Sequence, residues 1–169
     1  MKRLILTLAL VLGIGFAASA QNYAVVNSEK IFKSIDQYNQ AITQLDQMAN
    51  DYQKQVDAKF EEVEKIYNAY MARRAQLSEA SQQANEENIL KLEKQAQEFQ
   101  ESIFGTDGEL MKKRLELIQP IQKKVFDTID SYAKQKGYDM IIDVSQNATM
   151  LYYSSKADKT NEIIALLKK

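Results

Sequence analysis

The 169-residue chain contains no histidine and no cysteine. That removes imidazole- and thiolate-based zinc sites and the Ser-His and Cys-His nucleophile systems. The groups left with chemical reach are carboxylates and cations. Glu61 and Glu62 are adjacent in a helical stretch, and neighbouring residues on a helix do not face each other. Asp139 and Asp143 flank the apolar run Met140-Ile141-Ile142, where satisfying an edge or a turn is their plainest role. General acid-base work needs a carboxylate whose pKa is moved by burial, and a thin helical arm offers no such burial. No glycine-rich phosphate loop precedes a helix. The chain is therefore not expected to be an enzyme, and no cofactor or metal is expected. Arg73 and Arg74 form a local positive patch. Ordinary solvated charge is the plainer reading; contact with an acidic partner or anionic lipid head groups is the functional one.

These groups sit on one dominant element. From about Ser34 to Ile121 there is no glycine before Gly105 and no proline before Pro120, and the residues are mostly good or neutral helix formers. Apolar residues recur at steps of three and four: Ile35, Tyr38, Ile42, Leu45, Ala49, Tyr52, Val56, Phe60, Val63, Tyr67, Tyr70. A second run follows in Ile89, Leu92, Ala96, Phe99 and Ile103. Each stripe is narrow, so each helix needs a partner along one seam and leaves its other faces wet. The four-residue step from Val56 to Phe60 predicts a local change of supercoil. The tyrosines suit a half-wet seam, and Tyr52 and Tyr67 are assigned to it. The helix is expected from Asp36 to about Gln76, some 40 residues or about 60 Å. The chain is expected to turn back at 76–81, with Ser78 as a cap. The rival is one unbroken helix that pairs only with other chains.

The returning helix is interrupted by Gly105-Thr106-Asp107-Gly108. That break reads as a surface bend or as a hinge at Gly105 and Gly108. Glu109 to Ser131 is helical again, with Leu110, Leu115, Ile118, Ile121, Val125 and Ile129 available for packing. Pro120 is expected to kink or restart the helix where the arm meets its base, and Gly137 to end it in a left-handed cap.

The base is built from the two ends. Tyr23 to Val26 reads as a strand, followed by the helix caps Asn27 and Ser28. Tyr138 to Val144 reads as a strand buried on both faces, Asn147-Ala148 as a turn, and Thr149 to Tyr153 as a third strand. Lys159 to Lys169 reads as a short helix capped by Asp158. The fold class is α+β: a small three-stranded body with a long protruding antiparallel helical hairpin. Residues 21–35 and 119–169 form the body and 36–118 the arm.

The first 20 residues have a short basic start, an apolar run from Leu4 to Ala18 and small residues at Ala18-Ser19-Ala20. That pattern is expected of a secretory signal peptide cleaved after Ala20. Loss of Lys2 and Arg3 takes the formal charge of −1 two units lower, to −3. This near balance argues against a nucleic-acid partner. With no disulfide and little core in a two-helix arm, stability is expected to come from oligomerisation.

The chain resembles the Skp/OmpH family of periplasmic chaperones. The resemblance lies in Ala24-Val25-Val26-Asn27, Glu29-Lys30-Ile31-Phe32, the glutamine-rich hairpin, Pro120-Ile121-Gln122-Lys123-Lys124-Val125-Phe126, and Lys136-Gly137-Tyr138-Asp139 leading into Met140-Ile141-Ile142-Asp143. Leu151-Tyr152-Tyr153 and the stretch from Asp158 to Leu167 also fit. The resemblance implies a jellyfish-like homotrimer in the periplasm whose arms enclose a cavity. It implies ATP-independent holding of unfolded outer-membrane β-barrel proteins, with a weak membrane-surface contact as a further expectation. The client-binding candidates are Met48, Tyr70, Met71, Arg73, Arg74 and Phe99. The oligomerisation candidates in the body are Val25, Ile31, Phe32, Val125, Met140, Ile142 and Tyr152. Well-studied relatives are strongly basic and this chain is slightly acidic, so client binding is expected to depend only modestly on salt. The alternative is a non-catalytic structural coiled coil of the cell envelope.

Overall fold

The computed structural model describes residues 22–146 and 149–168; the expected signal peptide and the expected turn at Asn147-Ala148 lie outside them. Strand β1 (Tyr23–Val26) leads through the cap Asn27 into helix α1 (Ser28–Lys33). Asn27 has extended backbone, and its side-chain oxygen accepts from the Lys30 amide at 2.9 Å, satisfying one of the free donors of the first turn. Ser34 and Ile35 interrupt the helical path, and α2 runs from Asp36 to Met71. Its 36 residues span about 54 Å. A single 3₁₀ turn at Arg74–Gln76 reverses the chain into α3 (Glu79–Phe104). Ser78 caps α3 by accepting from the Ser81 amide at 3.3 Å. After the break at 105–108, α4 (Glu109–Lys136), β2 (Met140–Asp143) and α5 (Thr160–Leu167) complete the chain.

α2 packs against α3 over the outer arm and against α4 nearer the body. Buried Val56, Tyr70, Ile89, Ala96 and Ile103 mark the outer seam. Ala41 and Leu45 of α2 meet Ile118 and Ile121 of α4 at the root. Below them Val26, Ile31, Val125, Tyr132, Ile163 and Leu167 form the body core. Phe32 joins the two clusters. Its ring lies 5.3 Å from that of Tyr38 and meets Phe126 edge-on at 6.4 Å.

Three expectations are corrected. The body has a two-stranded parallel sheet, not a three-stranded one, with Tyr23 opposite Met140 and Val26 opposite Asp143. Thr149 to Tyr153 is not a strand, and Leu151 and Tyr152 are 93% and 82% exposed. Their residue types form sheets readily, but among the described residues the segment pairs with no strand and leaves the outer edge of β2 free. The free side of β1 is met instead by the segment before α5: the Val25 amide donates to Ala157 O at 2.9 Å and the Lys159 amide to Val25 O at 2.8 Å. Second, β2 forms at Met140–Asp143 but is not buried on both faces: Met140 is exposed, and Ile141 and Ile142 are half-buried. Third, Pro120 does not restart the helix, because α4 is helical throughout Glu109–Lys136. Packing of Ile118, Ile121 and Val125 on either side of it holds the helix in place.

Two glycine positions have distinct causes. Gly137 has φ 70°, a left-handed conformation that an L side chain resists, and it ends α4. Gly108 is buried, and a Cβ there would lie 2.4 Å from the Ile103 carbonyl oxygen. The turn from α3 to α4 therefore depends on a close backbone approach.

Candidate functional site

Two apolar areas are open on an otherwise polar arm. The first is at the elbow, where the break at 105–108 joins α3 to α4. Leu45, Ala49, Phe104, Leu110 and Met111 line a groove there, with Asp46 and Arg114 at its rim. Phe104 and Met111 are exposed, and Leu115 continues the apolar surface along α4. The second is near the tip, where Tyr67, Met71 and Leu90 are exposed around a groove lined also by Tyr70, Arg74, Glu86, Ile89 and Glu93.

The tip is held by a polar knot. The Tyr70 hydroxyl donates to Glu86 Oε1 at 2.5 Å and accepts from Arg74 Nε at 3.0 Å. A guanidinium nitrogen of Arg74 stands 3.4 Å from the same Glu86 oxygen. Burial pushes the Tyr70 hydroxyl above its ordinary pKa and the Glu86 carboxylate adds to the shift, while Arg74 opposes it. Gln82 Nε2 donates to the carbonyls of Arg74 and Leu77, both at 3.1 Å, and closes the loop.

The candidate residues are thus distributed unevenly. Met71 is exposed at the tip groove and Arg73 is exposed beside it. Arg74 lines the groove but is committed to Tyr70 and Glu86. Met48 and Phe99 are half-buried, and Lys59 Nζ sits 4.8 Å over the Phe99 ring. Tyr70 is 3% exposed: its ring packs in the seam at the floor of the tip groove. Tyr67 is the converse, assigned to the seam but 47% exposed. The observed seam follows the expected stripe through Val56, Phe60 and Val63 and then steps to Ile66 in place of Tyr67. The stripe thus reaches Tyr70 without passing through Tyr67.

Among the body candidates, Val25, Ile31 and Val125 are buried in the chain's own core. Phe32 and Ile142 are half-buried, and Met140 and Tyr152 are exposed. Sequence reasoning missed Leu90, Phe104 and Met111, and it took the exposed Leu115 for a packing residue. Leu90 and Phe104 each follow a seam residue directly, Ile89 and Ile103. A large apolar residue one place off a stripe was the available signal, since it must point away from the seam.

Two carboxylates in the body are fully engaged. Asp143 accepts from the Ser28 amide at 3.0 Å and the Ser28 hydroxyl at 2.5 Å, and from the Ser145 amide and hydroxyl, both at 3.0 Å. Burial pushes its pKa up, but these hydrogen bonds outweigh it and hold the carboxyl below its ordinary value. Asp158 behaves alike: burial is outweighed by the Thr160 hydroxyl and amide, at 2.6 and 2.9 Å, and by the charges of Lys30 and Lys159. Both are structural clamps. Among the described residues no group of three metal-ligating side chains could hold an ion, and no helix is long and apolar enough to cross a membrane.

Comparison with known proteins accords with this architecture. Residues 22–167 match the family model for outer membrane protein (OmpH-like). No curated protein matches the chain. A crystal structure from Caulobacter crescentus, described as an OmpH-like outer membrane chaperone, superposes with a TM-score of 0.65. It is 9% identical and aligns over 86% of this chain and 83% of its own, a likeness of fold. The matched span covers nearly all the described residues, from β1 through the arm to α5, and the chain therefore belongs to the OmpH-like family, the non-catalytic periplasmic chaperones of the Skp/OmpH type.

Proposed function

We propose that the mature chain, cleaved after Ala20, is an ATP-independent periplasmic holdase that binds unfolded outer-membrane proteins between helical arms and prevents their aggregation in transit. Three copies would join through their bodies, residues 21–35 and 119–169, and the arms, residues 36–118, would surround the client. The observation that carries this reading is the placement of exposed apolar side chains on a polar arm. Phe104, Met111 and Leu115 stand at the elbow, and Tyr67, Met71 and Leu90 at the tip. Scattered apolar contacts of this size are individually weak. Several arms acting together convert them into useful affinity while each contact stays exchangeable. An unfolded barrel strand offers matching chemistry, since apolar residues alternate along it and its edges are unpaired.

Oligomerisation is supported by the open edge of β2, by exposed Met140, and by Leu151 and Tyr152, which stand exposed among the described residues. The break at Gly105 and Gly108 would act as the pivot that lets arms adjust to clients of different size. The test is dilution of a urea-unfolded outer-membrane barrel protein into buffer with and without the mature chain, followed by light scattering in the absence of nucleotide. Suppressed scattering is the expected result. Aggregation at an unchanged rate contradicts the reading and favours a purely structural coiled coil.

A further inference from the structure

Charge is partitioned along the molecule. Residues 36–118 carry 16 Asp and Glu against 10 Lys and Arg, a net of −6, while residues 21–35 and 119–169 carry 7 against 10, a net of +3. The acidic part is the arm, and the tip groove opens on it. Tyr67, Met71 and Leu90 supply its exposed apolar surface. Its charged lining is Arg74, Glu86 and Glu93. Arg74 and Glu86 are committed to each other and to Tyr70. Glu93 enters no ion pair among the described residues. Glu64, three residues before Tyr67 on the same helix, neighbours it on the surface and is likewise outside every ion pair described. Lys94 is drawn away to Glu98 at 3.5 Å. Exposed Arg73 and Lys91 stand outside every ion pair described and offset part of the local negative charge, so any preference for a cationic partner rests on the net charge of the whole arm.

We propose that the tip groove is a docking site for an extended apolar segment that carries Lys or Arg at alternate positions. The inference rests on the chaperone reading above and narrows its partner class. In an extended segment the side chains alternate between faces, so the apolar face can lie on Tyr67, Met71 and Leu90 while the long Lys or Arg stems of the other face bend back past the segment's edges toward Glu64 and Glu93. The apolar contact is small and does not discriminate by charge. The negative field of the arm does, by raising the local concentration of cationic segments and disfavouring anionic ones. The basic body takes no part in this selection, because it lies at the opposite end of the arm.

The test uses the full mature chain and two labelled peptides with one apolar pattern, one with Lys and the other with Glu at the alternate positions. Each carries a central proline to block strand self-association. Binding is read by fluorescence anisotropy at low and moderate salt. The Lys peptide is expected to bind about tenfold tighter at low salt, and the gap to narrow as salt screens the charges. Leu90→Ser is expected to weaken binding of the Lys peptide roughly fivefold, by loss of apolar contact. The double change Glu64→Gln with Glu93→Gln is expected to reduce the preference for Lys over Glu roughly fivefold, as two exposed ion pairs allow. All three positions are exposed, so the variants keep the fold. Equal binding of the two peptides, tighter binding of the Glu peptide, or indifference to Leu90→Ser overturns the assignment. If a barrel client is still kept from aggregating in that case, only the tip assignment fails. If protection is absent as well, the chaperone reading fails with it.

Discussion

The backbone amide of Asn27 donates to the Thr160 hydroxyl at 2.9 Å, across 133 residues of sequence. That hydroxyl in turn donates to Asp158 at 2.6 Å, and Thr160 is 4% exposed. The bond ties the end of β1 to the first turn of α5, so the two ends of the chain close one body and the arm leaves from between them. Thr160→Val keeps the shape but leaves the Asn27 amide and the Asp158 carboxylate short of a partner. We expect a loss of about 1–3 kcal/mol in urea unfolding. Ile163→Ala, in the fully buried core beside it, is expected to cost about 2–5 kcal/mol. An unchanged unfolding midpoint for both would mean the body is not the cooperative unit described.

Acid should loosen the same body. Asp143 and Asp158 are held below the ordinary carboxylate value of 3.8 in the folded state. Below that value the unfolded chain takes up protons that the folded one resists. Their contribution is therefore complete above the ordinary value and is lost as pH falls through their folded values. Thermal midpoints measured from pH 6 down to pH 2 are expected to fall at the acid end, within roughly the range where carboxylates titrate. Asp143→Asn should flatten that fall; an identical slope would contradict the assignment of the clamp.

The glycines separate backbone conformation from close approach. Gly137→Ala forces a side chain into a left-handed backbone with φ 70° and should cost roughly 1–2 kcal/mol. Gly108→Ala places a Cβ 2.4 Å from the Ile103 carbonyl oxygen. It should destabilise by about 1–3 kcal/mol through overpacking at the elbow. The first change should leave client binding intact. The second should also alter it if the elbow serves as a pivot, and denaturation paired with a client-protection assay separates the two.

At the tip, Tyr70→Phe deletes the hydroxyl that joins Glu86 to Arg74. The ring stays in the seam, so the global unfolding transition should hardly move. Local opening should rise, seen as faster amide hydrogen exchange at residues 72–82 than in the unaltered chain. Equal exchange rates there would show that the hydroxyl does not hold the tip.

Local signals in the sequence located most elements. Asn27, Ser78 and Gly137 act as the caps their chemistry suggests. Asp158 serves α5 from one position further out than expected, accepting from the Thr160 amide while Lys159 holds the cap position. The features that escaped sequence reasoning all depend on partners distant in sequence. Thr149 to Tyr153 has strand composition, but composition does not place a strand: β1 is taken up by β2 on one side and by Ala157 and Lys159 on the other, and the segment does not pair with the free edge of β2. Pro120 has a breaker's chemistry, but packing against α2 and α5 keeps α4 helical around it. The exposure of Tyr67 turns on a shift of one residue after Val63, from Tyr67 to Ile66, which only the register with α3 decides.

The chaperone account is tested most directly by the mass of the mature chain in solution, measured by multi-angle light scattering alone and after rapid dilution of a urea-unfolded outer-membrane barrel protein into it. The expected result is a particle of three chains that gains the mass of one client and leaves no aggregate. A monomer, or an oligomer whose mass is unchanged while the client aggregates, would contradict it.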